Sequence, residues 1–130
     1  MKALVDTCVW SLALRRRHPD ADVAQRLKSL IGEGRVVTIG PIRQEILSGI
    51  GDKKQFAALR DRLSAFEDIP LTTDHFVLAA EFYNTCLKRG IQGSGTDYLI
   101  CAVACNEGAA IYTVDRDFDG YRRILPIQLL

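Results

Sequence analysis

The chain has 130 residues, of which 48% are hydrophobic and 25% charged, and 17 Lys and Arg against 16 Asp and Glu give a net charge of +1. This length accommodates a single domain, so residues 1–130 are expected to form one unit. The composition is average for a globular protein and argues against a disordered, collagen-like or disulfide-rich chain. The balanced charge argues against a protein that holds nucleic acid by bulk charge alone.

The apolar runs of the chain are short. None approaches the roughly 20 residues needed to span a bilayer, and the N-terminal segment has no signal-peptide pattern. The four cysteines lie among apolar residues without the regular spacing of a disulfide framework, which is typical of a reducing compartment. The sequence therefore predicts a cytoplasmic protein with no membrane partner.

Short apolar runs alternate along the chain with segments of helical periodicity. Strands are predicted at residues 2–5, 36–39, 69–71, 110–114 and 125–129. Helices are predicted at residues 8–14, around 23–31, at 41–48 and 56–66, from 73 or 74 to 87, and from about 96 to 105. In the fifth helix, the spacing predicts a buried stripe of Phe76, Ala80, Tyr83 and Leu87. Strands separated by helices imply right-handed crossovers, so the predicted fold class is α/β, with a central parallel sheet of about five strands and helices on both faces.

Acidic residues follow two of the predicted strands directly. Asp6 ends the first strand and Asp115 follows the fourth. Because ligands of an open parallel sheet bind outside the carboxyl ends of the strands, both side chains are expected to lie in one crevice. Glu45 borders the apolar face of its helix, and Asp97 lies in the first turn of a helix that is otherwise almost uncharged. Four carboxylates from distant segments are thus predicted to converge.

Each acid alone also has a structural explanation. Asp97 could interact with the dipole of its helix, Asp6 and Asp115 could be turn residues, and Glu45 could be a surface residue. Their joint placement favours a site, because two carboxylates about 5 Å apart repel by about 3 kcal/mol at an effective dielectric constant near 20. Such a cluster needs protons or cations, and oxygen ligands without His or Cys select Mg²⁺ or Mn²⁺. Hydrolysis of a nucleic-acid backbone is the natural use of that metal site.

Four segments share a pattern in their order and spacing. They are Leu4 to Thr7 with Val9 and Trp10, Pro41 to Gly49, Gly93 to Ala104, and Thr113 to Phe118. Each is weak alone, but together they resemble the PIN domain ribonucleases over the entire chain, and specifically the VapC toxins of bacterial toxin–antitoxin pairs. The resemblance implies a metal-dependent endoribonuclease that forms a homodimer and is inhibited by a VapB-like antitoxin reaching its acidic pocket.

The resemblance also implies roles for individual residues. The acidic pocket would consist of Asp6, Glu45, Asp97 and Asp115. Of these, Asp6, Asp97 and Asp115 would bind Mg²⁺ or Mn²⁺, while Glu45 would act on the attacking water or complete a second metal site. Thr113 is expected to be a supporting polar residue and Asp117 a further, supporting acid.

A group of arginines flanks the predicted site segments. It includes Arg15, Arg16, Arg17, Arg43 and Arg116, with Arg122 and Arg123 nearby. We expect contacts with RNA phosphates, because an acidic pocket needs a local positive patch to attract a polyanion. For the run of three arginines, a solvated turn is the alternative.

Two other functions remain open at this stage. One is a PIN-fold protein that binds RNA or a partner without cleaving it. The other is a phosphatase-like α/β hydrolase, which requires an acid two residues after Asp6, where this chain has Cys8. An EF-hand loop starting at Asp115 is excluded because Pro126 stands at its twelfth position, where a Glu is required.

Overall fold

The computed structural model describes residues 1–15 and 17–130, and short strands alternate with helices as predicted. The strands are β1 (Ala3–Val5), β2 (Val36–Val37) and β3 (Ala110–Tyr112). The helices are α1 (Thr7–Ala13), α2 (Ala21–Gly32), α3 (Gly40–Leu47), α4 (Lys53–Leu63), α5 (Thr73–Lys88), α6 (Gly95–Glu107) and α7 (Asp117–Arg122). The α/β class is confirmed. Helix α7 occupies a segment for which no helix is predicted from the sequence.

The strands of the described residues form one parallel sheet in the order β2-β1-β3. In its register, Leu4 lies opposite Val37 on one side and Ile111 on the other. The chain makes two crossovers in opposite directions along the sheet. The first runs from β1 to β2, and the second runs from β2 back past β1 to β3. Right-handed crossovers of opposite direction place their helices on opposite faces, so β1 is covered on both sides. The carboxyl ends of β1 and β3 then border the crevice where a ligand is expected.

The predicted number of five strands is wrong for the described part of the chain, where the sheet has three. The two predicted outer strands are reduced to single parallel bridges, Thr38 with Asp68 and Ile111 with Leu129. Each of these segments contains a proline, Pro70 or Pro126, which has no N–H to donate to a neighbouring strand. The pairing therefore stops after one bridge on each edge of the sheet.

The core is built around β1 and α6. Every residue of β1 is fully buried, and Tyr98 to Ala104 of α6 are buried as well. An almost uncharged helix is therefore placed against the sheet, as its composition predicts. No helix within the described residues has both the length and the apolar character needed to cross a membrane.

The predicted buried stripe of α5 is wrong. Phe76, Tyr83 and Leu87 are 53%, 40% and 44% exposed, whereas Phe82 and Cys86 face the core. Helix α5 is apolar on more than one face. Helical spacing alone is therefore compatible with burial of Phe76, Tyr83 and Leu87 or with burial of Phe82 and Cys86. Packing along α6 selects the face of Phe82 and Cys86. The exposed set, named here the α5 stripe, consists of Phe76, Ala80, Tyr83 and Leu87.

Candidate metal centre and active site

The predicted crevice lies at the carboxyl ends of β1 and β3. Asp6 follows β1, and Thr113 and Asp115 follow β3. The backbone N–H of Asp6 donates to the carbonyl of Tyr112 over 2.9 Å, so the two strands stay paired up to the point where the polar side chains begin. The sheet register therefore brings Asp6 and Thr113 together, although 107 residues separate them.

Asp6 is the most buried acid of the site, with 8% of its surface exposed. Its Oδ1 accepts the N–H of Thr7 at 2.8 Å, which caps α1. Its Oδ2 accepts the hydroxyl of Thr113 at 2.8 Å and the thiol of Cys8 at 3.4 Å. The Thr113 hydroxyl in turn accepts the N–H of Asp115 at 3.0 Å, so this threonine links the two acids.

Three carboxylates form a close group, named here the acid triad, which consists of Asp97, Asp115 and Asp117. One oxygen from each lies within 4.8 Å of the others. The N–H of Asp117 also donates to Asp115 Oδ1 at 2.9 Å, which orders the start of α7. Asp117, expected to be a supporting acid, lies in the triad, whereas Asp6, expected to be a ligand, lies outside this close group among the described residues. The roles of both acids stay predictions.

Burial raises the pKa values of two acids of the site, Asp6 and Asp97. Burial is the main cause of the raised pKa of Asp6, and the charge of Asp115 raises it further, while the hydrogen bond from Thr113 lowers it. Burial likewise raises the pKa of Asp97, with additional contributions from the charges of Asp6 and Asp115. Ionisation of these groups is therefore costly in the protein alone, and a cation would relieve the cost.

The donor set fits a hard divalent cation. The triad supplies carboxylate oxygens and no His or Cys ligand. Carboxylate and water ligands suit Mg²⁺ and Mn²⁺. Asp97, Asp115 and Asp117 could hold such an ion directly, with Asp6 beside them through its hydrogen bond to Thr113.

Glu45 reaches the site through Thr7. Helix α3 begins with Pro41 in its first turn, and one turn later Glu45 Oε2 accepts the hydroxyl of Thr7 at 2.7 Å. Since Thr7 directly follows Asp6, the glutamate stands on the β1 side of the crevice. Glu45 is exposed and thus open to water. The structure thus links Asp6 to Asp115 through Thr113 and groups Asp115 with Asp97, while Glu45 is connected to Asp6 through the neighbouring Thr7. The joint role of the four acids stays a prediction.

Sequence reasoning assigned no role to four described residues whose side chains bond to these acids, namely Thr7, Cys8, Ser94 and Tyr121. The hydroxyl of Tyr121 donates to Asp97 Oδ2 at 2.7 Å. Burial raises the pKa of the Tyr121 phenol, and the hydrogen bond and charge of Asp97 raise it further, so this group remains a donor. Tyr121 lies four residues after Asp117 and so on the same face of α7, a signal that could have identified it had α7 been predicted.

The predicted arginines fall into two groups. Arg15, Arg17 and Arg116 are exposed, while Arg16 lies outside the described residues. Arg43 differs, because its guanidinium pairs with Asp68 at 3.0 Å and donates to the carbonyls of Leu63 and Phe66. The predicted RNA contact of Arg43 is therefore corrected. This side chain ties α3 to the end of α4, and its donor groups are used within the chain.

Comparison with known proteins identifies the family. The PIN domain model matches residues 3–124. VapC ribonuclease Mb1587 of Mycobacterium bovis and ribonuclease VapC11 of Mycobacterium tuberculosis are both 31% identical over 127 residues, covering 96% of this chain and 95% of theirs.

Solved structures show the same fold at lower identity. FitAcB from Neisseria gonorrhoeae has a TM-score of 0.80 at 22% identity and covers 98% of this chain and 96% of its own. VapBC2 from Rickettsia felis, bound to a DNA fragment from its promoter, has a TM-score of 0.81 at 22% identity. The match covers 100% of this chain and 98% of that chain. The chain therefore belongs to the PIN domain family and, within it, to the VapC ribonucleases.

Proposed function

We propose that this chain is a Mg²⁺- or Mn²⁺-dependent endoribonuclease and the toxin of a toxin–antitoxin pair, acting in the cytoplasm. The observation that carries the proposal is the acid triad beside Asp6 at the carboxyl ends of β1 and β3. Three oxygen ligands leave coordination positions for water and for a phosphate oxygen. The curated relatives are named ribonucleases, which supports RNA as the substrate.

The chain's own residues divide the work of hydrolysis. A bound Mg²⁺ or Mn²⁺ lowers the pKa of a water molecule and neutralises phosphate charge. The triad would hold the ion, and the hydrogen bonds of Thr113 keep Asp6 and Asp115 next to each other. Glu45, held by Thr7 and open to solvent, accepts a proton from the attacking water. One phosphorus–oxygen bond forms as another breaks, and the departing oxygen takes its proton from solvent.

Exposed arginines guide the substrate to the crevice. Arg15, Arg17 and Arg116 present their side chains to solvent, and Arg116 directly follows the triad residue Asp115. Arginine binds phosphate oxygens through paired hydrogen bonds. These contacts offset the repulsion between the acidic site and the RNA backbone, and Arg16 is proposed to join them on sequence grounds alone.

Removal of the metal tests the proposed activity. Purified protein incubated with total RNA is expected to produce fragments with Mn²⁺ or Mg²⁺, to lose this activity in excess EDTA, and to regain it when the metal is restored. Protein carrying Asp97→Asn, purified in parallel, controls for contaminating nucleases. Full cleavage in excess EDTA would contradict the proposal, and RNA binding without cleavage would indicate a PIN-fold binding protein instead.

Two protein partners are proposed for two apolar surfaces. The α5 stripe extends over about 17 Å of exposed helix and is proposed to pair with a second copy of the chain. The second surface, a groove of about 300 Å³ between α1, α2 and α4, is lined by apolar side chains such as Leu14 and Phe66, together with Lys28 and Arg62. An apolar antitoxin segment that carries acidic groups matches these features.

One pair of variants separates the two surfaces. The chain is expected to have a mass in solution of twice 14.5 kDa by light scattering. Tyr83→Asp should give a monomer that the antitoxin still inhibits, because it places a charge in the α5 stripe alone. Leu14→Asp should leave the dimer intact and weaken inhibition by the antitoxin. Each variant thus controls for the other. A monomeric wild type would refute the assignment of the α5 stripe, and full inhibition of Leu14→Asp by the antitoxin would refute the assignment of the groove.

A further inference from the structure

The Tyr121 hydroxyl is fixed against one oxygen of Asp97. It donates to Oδ2 at 2.7 Å, and the tyrosine is fully buried. Its ring packs between Tyr98 and Phe118, with centroid distances of 5.0 and 5.1 Å. On a further side is Gly93, where an added Cβ would lie only 2.8 Å from Cζ of the phenol. Rings on two sides and the backbone of Gly93 on a third therefore restrict the position of the hydroxyl.

We propose that Tyr121 is a positioning residue that restricts Asp97 to ligation through one oxygen and thereby favours Mg²⁺ or Mn²⁺ over Ca²⁺. This inference rests on the proposed function, because it assumes that the acid triad holds a cation. An oxygen that already accepts a short hydrogen bond is the weaker ligand of the two in a carboxylate. With Oδ2 engaged by the phenol, Oδ1 is the oxygen that Asp97 offers to an ion.

Ligation through one oxygen discriminates between ions of equal charge. Mg²⁺ requires nearly octahedral geometry at about 2.0–2.1 Å, whereas Ca²⁺ takes 6–8 oxygens at about 2.3–2.6 Å and often binds both oxygens of a carboxylate. Asp115 is constrained in the same way, because its Oδ1 accepts the N–H of Asp117 at 2.9 Å. Two of the three triad carboxylates thus have one oxygen engaged, which disfavours the larger ion.

Calorimetric titration of the metal-free protein with MnCl₂ and with CaCl₂ tests this role. Tyr121→Phe removes the hydroxyl and keeps the ring, and loss of such a supporting contact should weaken Mn²⁺ binding about 10-fold. Binding of Ca²⁺ should be unchanged or tighter, because both oxygens of Asp97 become available. The ratio of Mn²⁺ to Ca²⁺ affinity should therefore fall by about 10-fold or more.

Tyr98→Phe is the matched control. Tyr98 belongs to the same aromatic cluster and is equally buried, but its hydroxyl lies 3.5 Å from the carbonyl of Ile91 and bonds to no triad carboxylate in the described structure. The affinity ratio of this variant should match that of the wild type. An unchanged ratio in Tyr121→Phe, or an equal loss for both ions, would overturn the role of Tyr121 while leaving the metal site intact. A wild-type chain that binds neither ion would overturn the site and this role together.

Discussion

Asp97→Asn is expected to abolish metal-stimulated RNA cleavage and to leave the chain folded. The substitution keeps the size of the side chain and an oxygen that can accept the Tyr121 hydroxyl, but it removes the charge that the triad needs to hold a cation. If the metal stabilises the transition state by about 4 kcal/mol, its loss lowers the rate of RNA cleavage by about 10³-fold. Asp6→Asn should have the same effect, since Asp6 shares Thr113 with Asp115.

The control for these variants is Asp119→Asn. Asp119 is an exposed acid of α7 that lies two residues from Asp117 and outside the triad. Cleavage by this variant should stay close to the wild-type rate, measured as initial fragment formation at a fixed Mn²⁺ concentration. Wild-type activity in Asp97→Asn would refute the assignment of the site, and circular dichroism spectra of all variants verify the fold.

The same variants should differ in their stability. Because the pKa values of Asp6 and Asp97 are raised above the ordinary 3.8, the folded chain binds protons more tightly than the unfolded chain does. The contribution of these two acids to the free energy of unfolding of the metal-free protein is thus largest below pH 3.8. It falls as the pH rises through their raised pKa values. At neutral pH, metal-free Asp97→Asn should melt at or above the wild-type temperature. Added Mn²⁺ should raise the melting temperature of the wild type and of Asp119→Asn, but not that of Asp97→Asn.

The parts of the fold that follow local rules were predictable from the sequence. Apolar runs that end at Asp6 and before Asp115 marked β1 and β3, and the almost uncharged composition of α6 marked a buried helix. The two outer strands were overpredicted, because their apolar residues gave a strand pattern while Pro70 and Pro126 limited the pairing. The face of α5 could not be predicted, because two apolar faces fit one helical period and only contact with α6 distinguishes them.

Most acids of the candidate site were predictable from the sequence, but the residues that hydrogen-bond to them were not. Asp6, Asp97 and Asp115 follow from strand ends and a helix start, which are features of the chain itself. The positions of Asp117 and Tyr121 depend on α7, a helix of six residues that buries Phe118 and Tyr121 in the core. Arg43 shows the converse, because its position in the sequence suggested a surface role that its bonds to Asp68 exclude.

Gly93→Ala should lower the free energy of unfolding by about 2 kcal/mol, the usual cost of overpacking a well-filled site. The added Cβ would lie 2.8 Å from Cζ and 2.9 Å from Cε1 of Tyr121, a fully buried ring that can shift only by displacing its neighbours. The backbone of Gly93 does not have a positive φ, so the cost arises from this contact alone. Gly95→Ala is the control, because a Cβ there meets none of the described residues within 4 Å, and its stability in urea should equal or exceed that of the wild type.

The double variant Gly93→Ala with Tyr121→Phe identifies the atom responsible. The hydroxyl oxygen of Tyr121 is the atom nearest to the added Cβ, so its removal should recover about 1 kcal/mol of the loss, a coupling typical of residues in direct contact. Gly93→Ala alone should also move the hydroxyl away from Asp97 and lower the ratio of Mn²⁺ to Ca²⁺ affinity, as Tyr121→Phe does. If Gly93→Ala is as stable as Gly95→Ala, the phenol moves without cost, and its hydroxyl is not held against the carboxylate by the backbone.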